Sequence, residues 1–423
     1  MNNLSYPGTS IDNSSAALSA AENAGFCPYR LGRIAPAIKP FIDNKKIPGA
    51  LTVIARQGKL VHLQCHGYAD KEAGKAVQAD TLFRIYSMTK PVTAVAVMML
   101  YEQGLFSLED PIADYLPAFA NMKVMTDTGL VDAAAPITIR QLLTHSSGLS
   151  YSMIPDNPAV SALYEQHNVN EVYGRLTMTL AEHTELLAQQ PLIAHPGTAW
   201  RYSESIGVLA RLVEVLSRKN YSAFLQQNIF APLAMVDTAY QTHHSNSDRL
   251  AVLYEQTPSL DNFVPSDKYG GDYTQPAQLE AGGAGLLSTA SDYLKFAQML
   301  LNEGELNGVR LLSPLTTRLM MSDQFEGQFA RYLPELSVVP MKGMGHGFAG
   351  AVVTDKKARG VLGSNGEYSW GGWASTHFWV DPEEQLIGMV FTQLIPQPEQ
   401  LLGLNERFRQ MVYQAMTTSL IER

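Results

Sequence analysis

Cysteine is almost absent: Cys27 and Cys65 are the two in 423 residues, too few for a disulfide framework or a thiolate metal cluster. Charge is also sparse, at 17% of residues, and no block of one sign occurs anywhere. The balance is acidic, with 31 Lys and Arg against 40 Asp and Glu, giving a net charge of −9. A nucleic-acid surface needs a basic stripe, so that class of partner is excluded. No apolar run is long enough to span a bilayer, which argues against a membrane partner. Residues Met1 to Gly25 are rich in Ser, Asn and Ala and lack a basic stretch followed by an apolar one, so no secretory signal is seen. A cytoplasmic protein is the expectation. Missing too are H-E-x-x-H, a phosphate-cradling glycine loop and G-x-S-x-G. The last absence counts against an α/β-hydrolase. Neither metal nor cofactor is called for, and no internal repeat is present.

What is present is a 46% hydrophobic chain able to form a sizeable core. Its organising stretch is Phe83-Arg84-Ile85-Tyr86-Ser87-Met88-Thr89-Lys90-Pro91, which joins an extended apolar segment to a run, Val92 to Gln103, apolar on nearly every face. Ser87 thus falls at a helix N-terminus, where unpaired N–H groups point outward. Lys90 follows three residues later on the same face. A serine hydroxyl is a weak nucleophile until a base takes its proton, and a lysine in a poorly solvated pocket helps to do so. The bland alternative is a helix-capping serine followed by a solvated lysine. Two observations weigh against it: no other lysine has a serine three positions earlier, and the helix is too apolar for a surface.

Periodicity predicts a tail over residues 1–25, a helix from Leu31 to Asp43, and a hairpin from Gly49 to His66 turning at Gln57-Gly58. The buried helix closes at Gly104. A helix start is expected at Leu108 to Ile112, a surface loop from Asn121 to Pro136, and a short helix from Thr138 to His145. Further helices are expected over Asn170–Gln190, Gly207–Arg218, Tyr221–Asn228, Ser291–Asn302 and Ser313–Met321. Thr257 to Gly285 is a long loop of the kind that is often functional. Strands then return at Gly347–Thr354, Ala374–Val380 and Gln385–Leu394, before a last helix over Gln400–Thr417.

Two other stretches carry chemistry. In His195-Pro196-Gly197-Thr198-Ala199-Trp200-Arg201-Tyr202-Ser203 a turn sets aromatic residues at the start of another helix. Tyr202 is either an ordinary half-buried tyrosine or, beside Lys90, a phenol that serves as general base. In Tyr368 to Pro382, Gly371 and Gly372 interrupt a strand, which marks close approach of a ligand or another backbone. An N–H there would form half of an oxyanion hole, with the Ser87 N–H as the other half. The four tryptophans, Trp200, Trp370, Trp373 and Trp379, all fall in these two stretches. They suggest an aromatic-walled pocket, although Trp379 is equally a core residue. His377 either lines the site or packs behind it.

Together these stretches resemble the serine β-lactamase and penicillin-binding-protein superfamily, in the branch of class C β-lactamases and family VIII carboxylesterases. The resemblance rests on Ser87-Met88-Thr89-Lys90, Tyr202-Ser203-Glu204 and Trp370-Gly371-Gly372, in that order. It is supported by Ile139 to Leu149, Ile229 to Thr238 and Gly282 to Thr289, and spans roughly residues 30–420. It implies an α+β fold of the β-lactamase/DD-peptidase type: an antiparallel sheet flanked by helices, a mainly helical second lobe, and an active site in the cleft between them. The expected organisation is a tail over 1–25, one lobe from 26–90 and 285–423, and the helical lobe from 91–284. Ser87, Lys90 and Tyr202 would be catalytic. Ser87 and Trp373 would supply the oxyanion N–H groups, with Tyr86, Trp200, Trp370, Gly371, Gly372 and His377 around the substrate.

The departures are informative. Where the family's lactamases have Tyr-x-Asn and Lys-Thr-Gly, this chain has Tyr202-Ser203-Glu204 and Trp370-Gly371-Gly372. The cation and the amide that would hold a β-lactam are both replaced. The expected activity is therefore ester hydrolysis of a small-molecule substrate through an acyl-enzyme on Ser87. The rivals are a β-lactamase or D-amino-acid peptidase, an acyltransferase using the same acyl-enzyme, and a non-catalytic binding module. Oligomeric state is left open.

Overall fold

The computed structural model describes residues 15–153, 157–170, 177–259, 261–266, 268–333, 342–395 and 403–421. Its centre is an eight-stranded antiparallel sheet. Three strands come from early in the chain: β1 (Gly49–Arg56), β2 (Lys59–Asp70) and β3 (Lys75–Ala76). Five come from its last quarter: β4 (Met344–His346), β5 (Ala351–Val353), β6 (Tyr368–Gly371), β7 (His377–Asp381) and β8 (Leu386–Phe391). Their order across the sheet is β4-β5-β6-β7-β8-β1-β2-β3, so the two groups meet where β1 pairs with β8.

β1 is buried along its whole length, in keeping with a sequence that is apolar but for Thr52 and Arg56. Its alternation sends Leu51, Val53 and Ala55 into one core and Ala50 and Ile54 into another. Helices α1 (Ser15–Asn23), α2 (Ile34–Asp43) and α6 (Leu404–Gln414) cover the second face. On the first face lies α5 (Ala290–Leu301), packed on β7 and β8. The same core continues into the helical middle of the chain. There α3 (Thr89–Glu102), buried at every position from Thr89 to Met98, packs against α4 (Ser205–Ser217). A helix enclosed on all sides has no need of a polar stripe, and its sequence has none.

Several expectations are corrected. Part of the stretch expected as a tail is α1, whose Ala21 is buried in the second core, with Ala24 just beyond it; residues 1–14 lie outside the described residues. The expected surface loop at 121–136 contains a hairpin, Lys123–Thr126 with Gly129–Asp132, turned by Gly129 at φ +113°. Leu108 to Ile112 starts no α-helix; a single 3₁₀ turn spans Ile112–Asp114. Of the strand expected over Gly347–Thr354, only Ala351–Val353 is extended, as β5; residues 347–350 form the turn that folds it back on β4. Of the helix expected from Asn170 to Gln190, residues 171–176 lie outside the described residues, and the helix seen begins at Leu180, fixed by a Thr179/Glu182 capping box. Residues 396–402, at the start of the expected last helix, are also outside them.

The face covered by α6 holds a buried ion pair between Arg409 and Glu367, with the Arg409 guanidinium 4.5 Å from the Trp379 ring centroid. Both side chains are almost fully buried. Removing Arg409 leaves the buried Glu367 carboxylate with the Tyr413 hydroxyl at 3.3 Å but without its ion-pair partner, and breaking such a pair typically costs about 3–5 kcal/mol. Arg409→Met is expected to lower the urea midpoint by a corresponding amount, and Arg409→Met with Glu367→Leu to recover most of it. Equal destabilisation in the single and double variants would show that the charges are not coupled.

Candidate active site

The segment carrying Ser87 is held on both sides before it turns into α3. Phe83–Arg84 pairs with Leu287–Ser288, and Ile85 N–H donates to the Leu286 carbonyl at 3.0 Å. The Gln393 side chain brackets the Arg84 main chain, accepting from its N–H at 3.1 Å and donating to its carbonyl at 3.0 Å. Tyr86 adopts φ +42°, a left-handed conformation that costs an L-residue energy and recurs at functional sites. Ser87 then lies in a single 3₁₀ turn, Tyr86–Met88, directly before α3, and Tyr293 Oη donates to the Met88 carbonyl at 2.8 Å. The side chain of Ser87 is buried.

Lys90 is in the first turn of α3 and almost wholly buried. Its Nζ lies 3.2 Å from Ser87 Oγ and donates to the Gly283 carbonyl at 2.8 Å. Tyr202 arrives from the loop before α4, and its Oη donates to Ser87 Oγ at 2.6 Å. Three side chains distant in sequence therefore converge on one hydroxyl. The Lys90 Nζ also stands 4.7 Å from the Tyr202 ring centroid and 5.4 Å from that of Tyr151. A nitrogen in this position meets lone pairs and π faces in place of water.

The Trp-Gly-Gly stretch closes the other side. A Cβ on Gly372 would come within 2.4 Å of the Ile85 carbonyl oxygen and 2.2 Å of Thr376 Oγ1. The glycine interruption thus marks close approach of a second backbone, the one that leads into Ser87. Gly372 N–H donates to the Thr376 carbonyl, so residues 372–376 form the turn between β6 and β7. Trp373 sits on that turn with its ring edge-on to Tyr86 at 5.7 Å and to Tyr269 at 5.0 Å. Trp370, at the end of β6, approaches Tyr202 at 5.5 Å. Trp200 stacks on Tyr202 at 6.3 Å with an interplanar angle of 18°. Burial raises the Tyr86 phenol far above its ordinary range, and its hydroxyl donates to the Tyr269 carbonyl.

One residue of the sequence-based site, His377, is elsewhere. In β7, Phe378 pairs across from Trp370 and faces the first core, so strand alternation turns His377 and Trp379 to the α6 side. His377 stacks near Trp379 at 6.3 Å, and burial, with Arg409 and Arg359 nearby, pushes its imidazole down to about 3. It is a neutral histidine behind the sheet. Glu204, where the lactamase pattern has an asparagine, is fully buried at the start of α4.

Other neighbours were not singled out from sequence. Gly283 gives Lys90 its carbonyl, and Tyr151, His145 and His346 pack around Tyr202 or its neighbours. Gly283 belongs to the Gly-rich part of the long loop and to the Gly282–Thr289 stretch that supports the resemblance, neither of which gives it a role. Among the described residues no group of three or more His, Cys, Asp or Glu could hold a metal ion. No helix among them is long and apolar enough to cross a membrane.

A family model described as Beta-lactamase matches residues 34–407. The chain belongs to the beta-lactamase family. It is 34% identical over 370 residues to an uncharacterized protein of Mycobacterium tuberculosis (strain CDC 1551 / Oshkosh), covering 85% of this chain and 89% of that one. To esterase EstB of Burkholderia gladioli it is 27% identical, covering 88% and 91%. The solved structure of EstCE1, described as a hydrolase with promiscuous acyltransferase activity, superposes with a TM-score of 0.76 at 26% identity, covering 95% of this chain and all of that one. The fold is thus the α+β, β-lactamase/penicillin-binding-protein type, and the family together with its esterase and hydrolase relatives supports a serine hydrolase.

In this beta-lactamase family member, the Gly372–Ile85 contact leaves no room for a side chain. Gly372→Ala is expected to move β6 away from Ser87 and to reduce kcat about 10²-fold, the usual consequence of displacing reacting groups by about 1 Å. Steady-state kinetics on folded protein would check this. Unchanged kcat would mean that the β6 edge takes no part in positioning.

Proposed function

We propose that the protein is a serine carboxylesterase of the family VIII type, hydrolysing esters with short-to-medium neutral acyl groups. The observation that carries this reading is the convergence of Tyr202 Oη and Lys90 Nζ on Ser87 Oγ, at 2.6 and 3.2 Å. Tyr202 and Lys90 together accept the Ser87 proton as Oγ attacks the ester carbonyl carbon. The N–H groups of Ser87 and Trp373 hold the oxyanion. The intermediate collapses, the alcohol departs with a proton delivered through Tyr202, and an acyl-enzyme remains on Ser87. Water, deprotonated by the same pair, attacks this ester and frees the acid.

Substrate class follows from the walls. Trp370 stands where the family's lactamases carry a lysine, so one attractor for an anionic substrate is missing. Trp373 and Tyr269, which meet edge-on, and Trp200 and Trp370, which both meet the Tyr202 ring, offer apolar surface in the neighbourhood of Ser87. Burying an apolar substrate group against such walls is worth about 1.5–3 kcal/mol. The esterase named among the relatives, EstB, supports the same reading.

A second reading, acyl transfer to an alcohol, is favoured by the acyltransferase activity in the description of EstCE1. Both share the acyl-enzyme and differ only in what attacks it.

The test is a side-by-side measurement with p-nitrophenyl butyrate and a chromogenic cephalosporin. The ester is expected to show the higher kcat/KM by far. Ser87→Ala should abolish turnover, and Lys90→Ala and Tyr202→Phe should each lower kcat by about 10²-fold or more. Faster turnover of the cephalosporin would overturn the esterase reading. Ester product formed mainly with an added alcohol would favour transfer.

A further inference from the structure

We propose that His145 is a positioning residue for Tyr202, seated against His346. The inference rests on the assignment of Tyr202 as the proton carrier for Ser87. His145 attaches to the chain on both sides of Tyr202 and to its ring. Its main-chain carbonyl accepts from the Arg201 N–H at 2.7 Å, and its Nδ1 shares a hydrogen bond with Ser203 Oγ at 3.2 Å. Its ring lies 4.8 Å from the Tyr202 ring, tilted by 58°. From Ser203 the hydrogen bonds run on through Ser205 Oγ at 2.7 Å to Ser147 Oγ at 2.8 Å, and back to the loop that follows His145. The segments 145–147 and 201–205 are thereby locked together around the phenol.

The histidine occupies this place at a cost to the backbone. It has φ +56°, in the left-handed region that a bulky L-residue seldom adopts. Its ring is fully buried, and Nε2 has no hydrogen-bond partner among the described residues. An apolar ring would fill the same volume without an orphaned polar atom, so packing alone does not account for a histidine here. The Nδ1 contact to Ser203 does.

His346 supplies the seat. Its ring meets that of His145 at 5.7 Å and 79°, and contacts Trp200 and Trp370 at 5.5 Å each. The Gly347 carbonyl, which only accepts, takes the His346 Nδ1–H at 2.7 Å and so fixes that ring. Because His346 is on β4, the sheet braces Tyr202 through His145.

The test is a double-mutant cycle on p-nitrophenyl butyrate hydrolysis, with kcat expressed per titrated active site. His145→Phe keeps a ring but loses Nδ1, and is expected to lower kcat about tenfold or more while KM stays within about twofold. Ser203→Ala removes the same contact from the other side and should lower kcat in the same direction; it carries the cycle if His145→Phe does not fold. In a Tyr202→Phe background either substitution should change kcat by less than about twofold, because the group being positioned is gone. Full, additive losses in that background would overturn the positioning role and leave Tyr202 as assigned. So would wild-type kcat in both single variants, or a loss confined to KM. Wild-type turnover in Tyr202→Phe itself would overturn both readings at once.

Discussion

A lysine amine at the start of a helix with no exposed face must be met by partners inside the protein, and much of the site follows from how Lys90 is met. Its hydrogen bonds go to the Gly283 carbonyl and to Ser87, and its remaining surface faces Tyr202 and Tyr151. The Gly283 carbonyl is available because the Gly-rich segment runs close over α4. A Cβ on Gly282 would come within 2.5 Å of both Ala210 Cβ and the Ile206 carbonyl oxygen. The burial of one amine thus ties together α3, α4 and the long loop before α5. Leaving such a group without these partners would cost several kcal/mol.

The sheet contributes a second constraint. β6 and the turn after it reach Ser87 because Gly372 allows two backbones to touch. Behind that strand, the Arg409–Glu367 pair and Trp379 fill the space between sheet and α6. The Ser87 segment is therefore pressed from one side by strand ends and held from the other by helix starts. Elements from both ends of the chain and from its middle are needed to complete the site.

Much of this was legible in sequence where chemistry needs a rare local pattern. The serine–lysine spacing followed by a wholly apolar helix, the paired glycines, and the β1–β2 hairpin each have one dominant physical reading. What was not legible depends on long-range geometry. His377 was drawn toward the site by its nearness to Trp373, but a strand alternates faces, and the three turn residues 374–376 separate the two. Gly283 acts through its carbonyl, which leaves no side-chain signature. His145 lies in a stretch that read as the end of a short helix, and nothing local shows that its ring, its carbonyl and its Nδ1 all converge on the neighbourhood of Tyr202. The hairpin at 123–132 was hidden because its outer strand is almost fully exposed and carries no buried alternation.

The central claim is that Ser87 carries the acyl group. The most direct measurement is intact-protein and peptide mass spectrometry after rapid acid quench during turnover of a slowly deacylating p-nitrophenyl ester. The account predicts a mass increase equal to one acyl group, located on the peptide containing Ser87 and absent from Ser87→Ala. An acyl group on any other residue, retained in Ser87→Ala together with turnover, would contradict it.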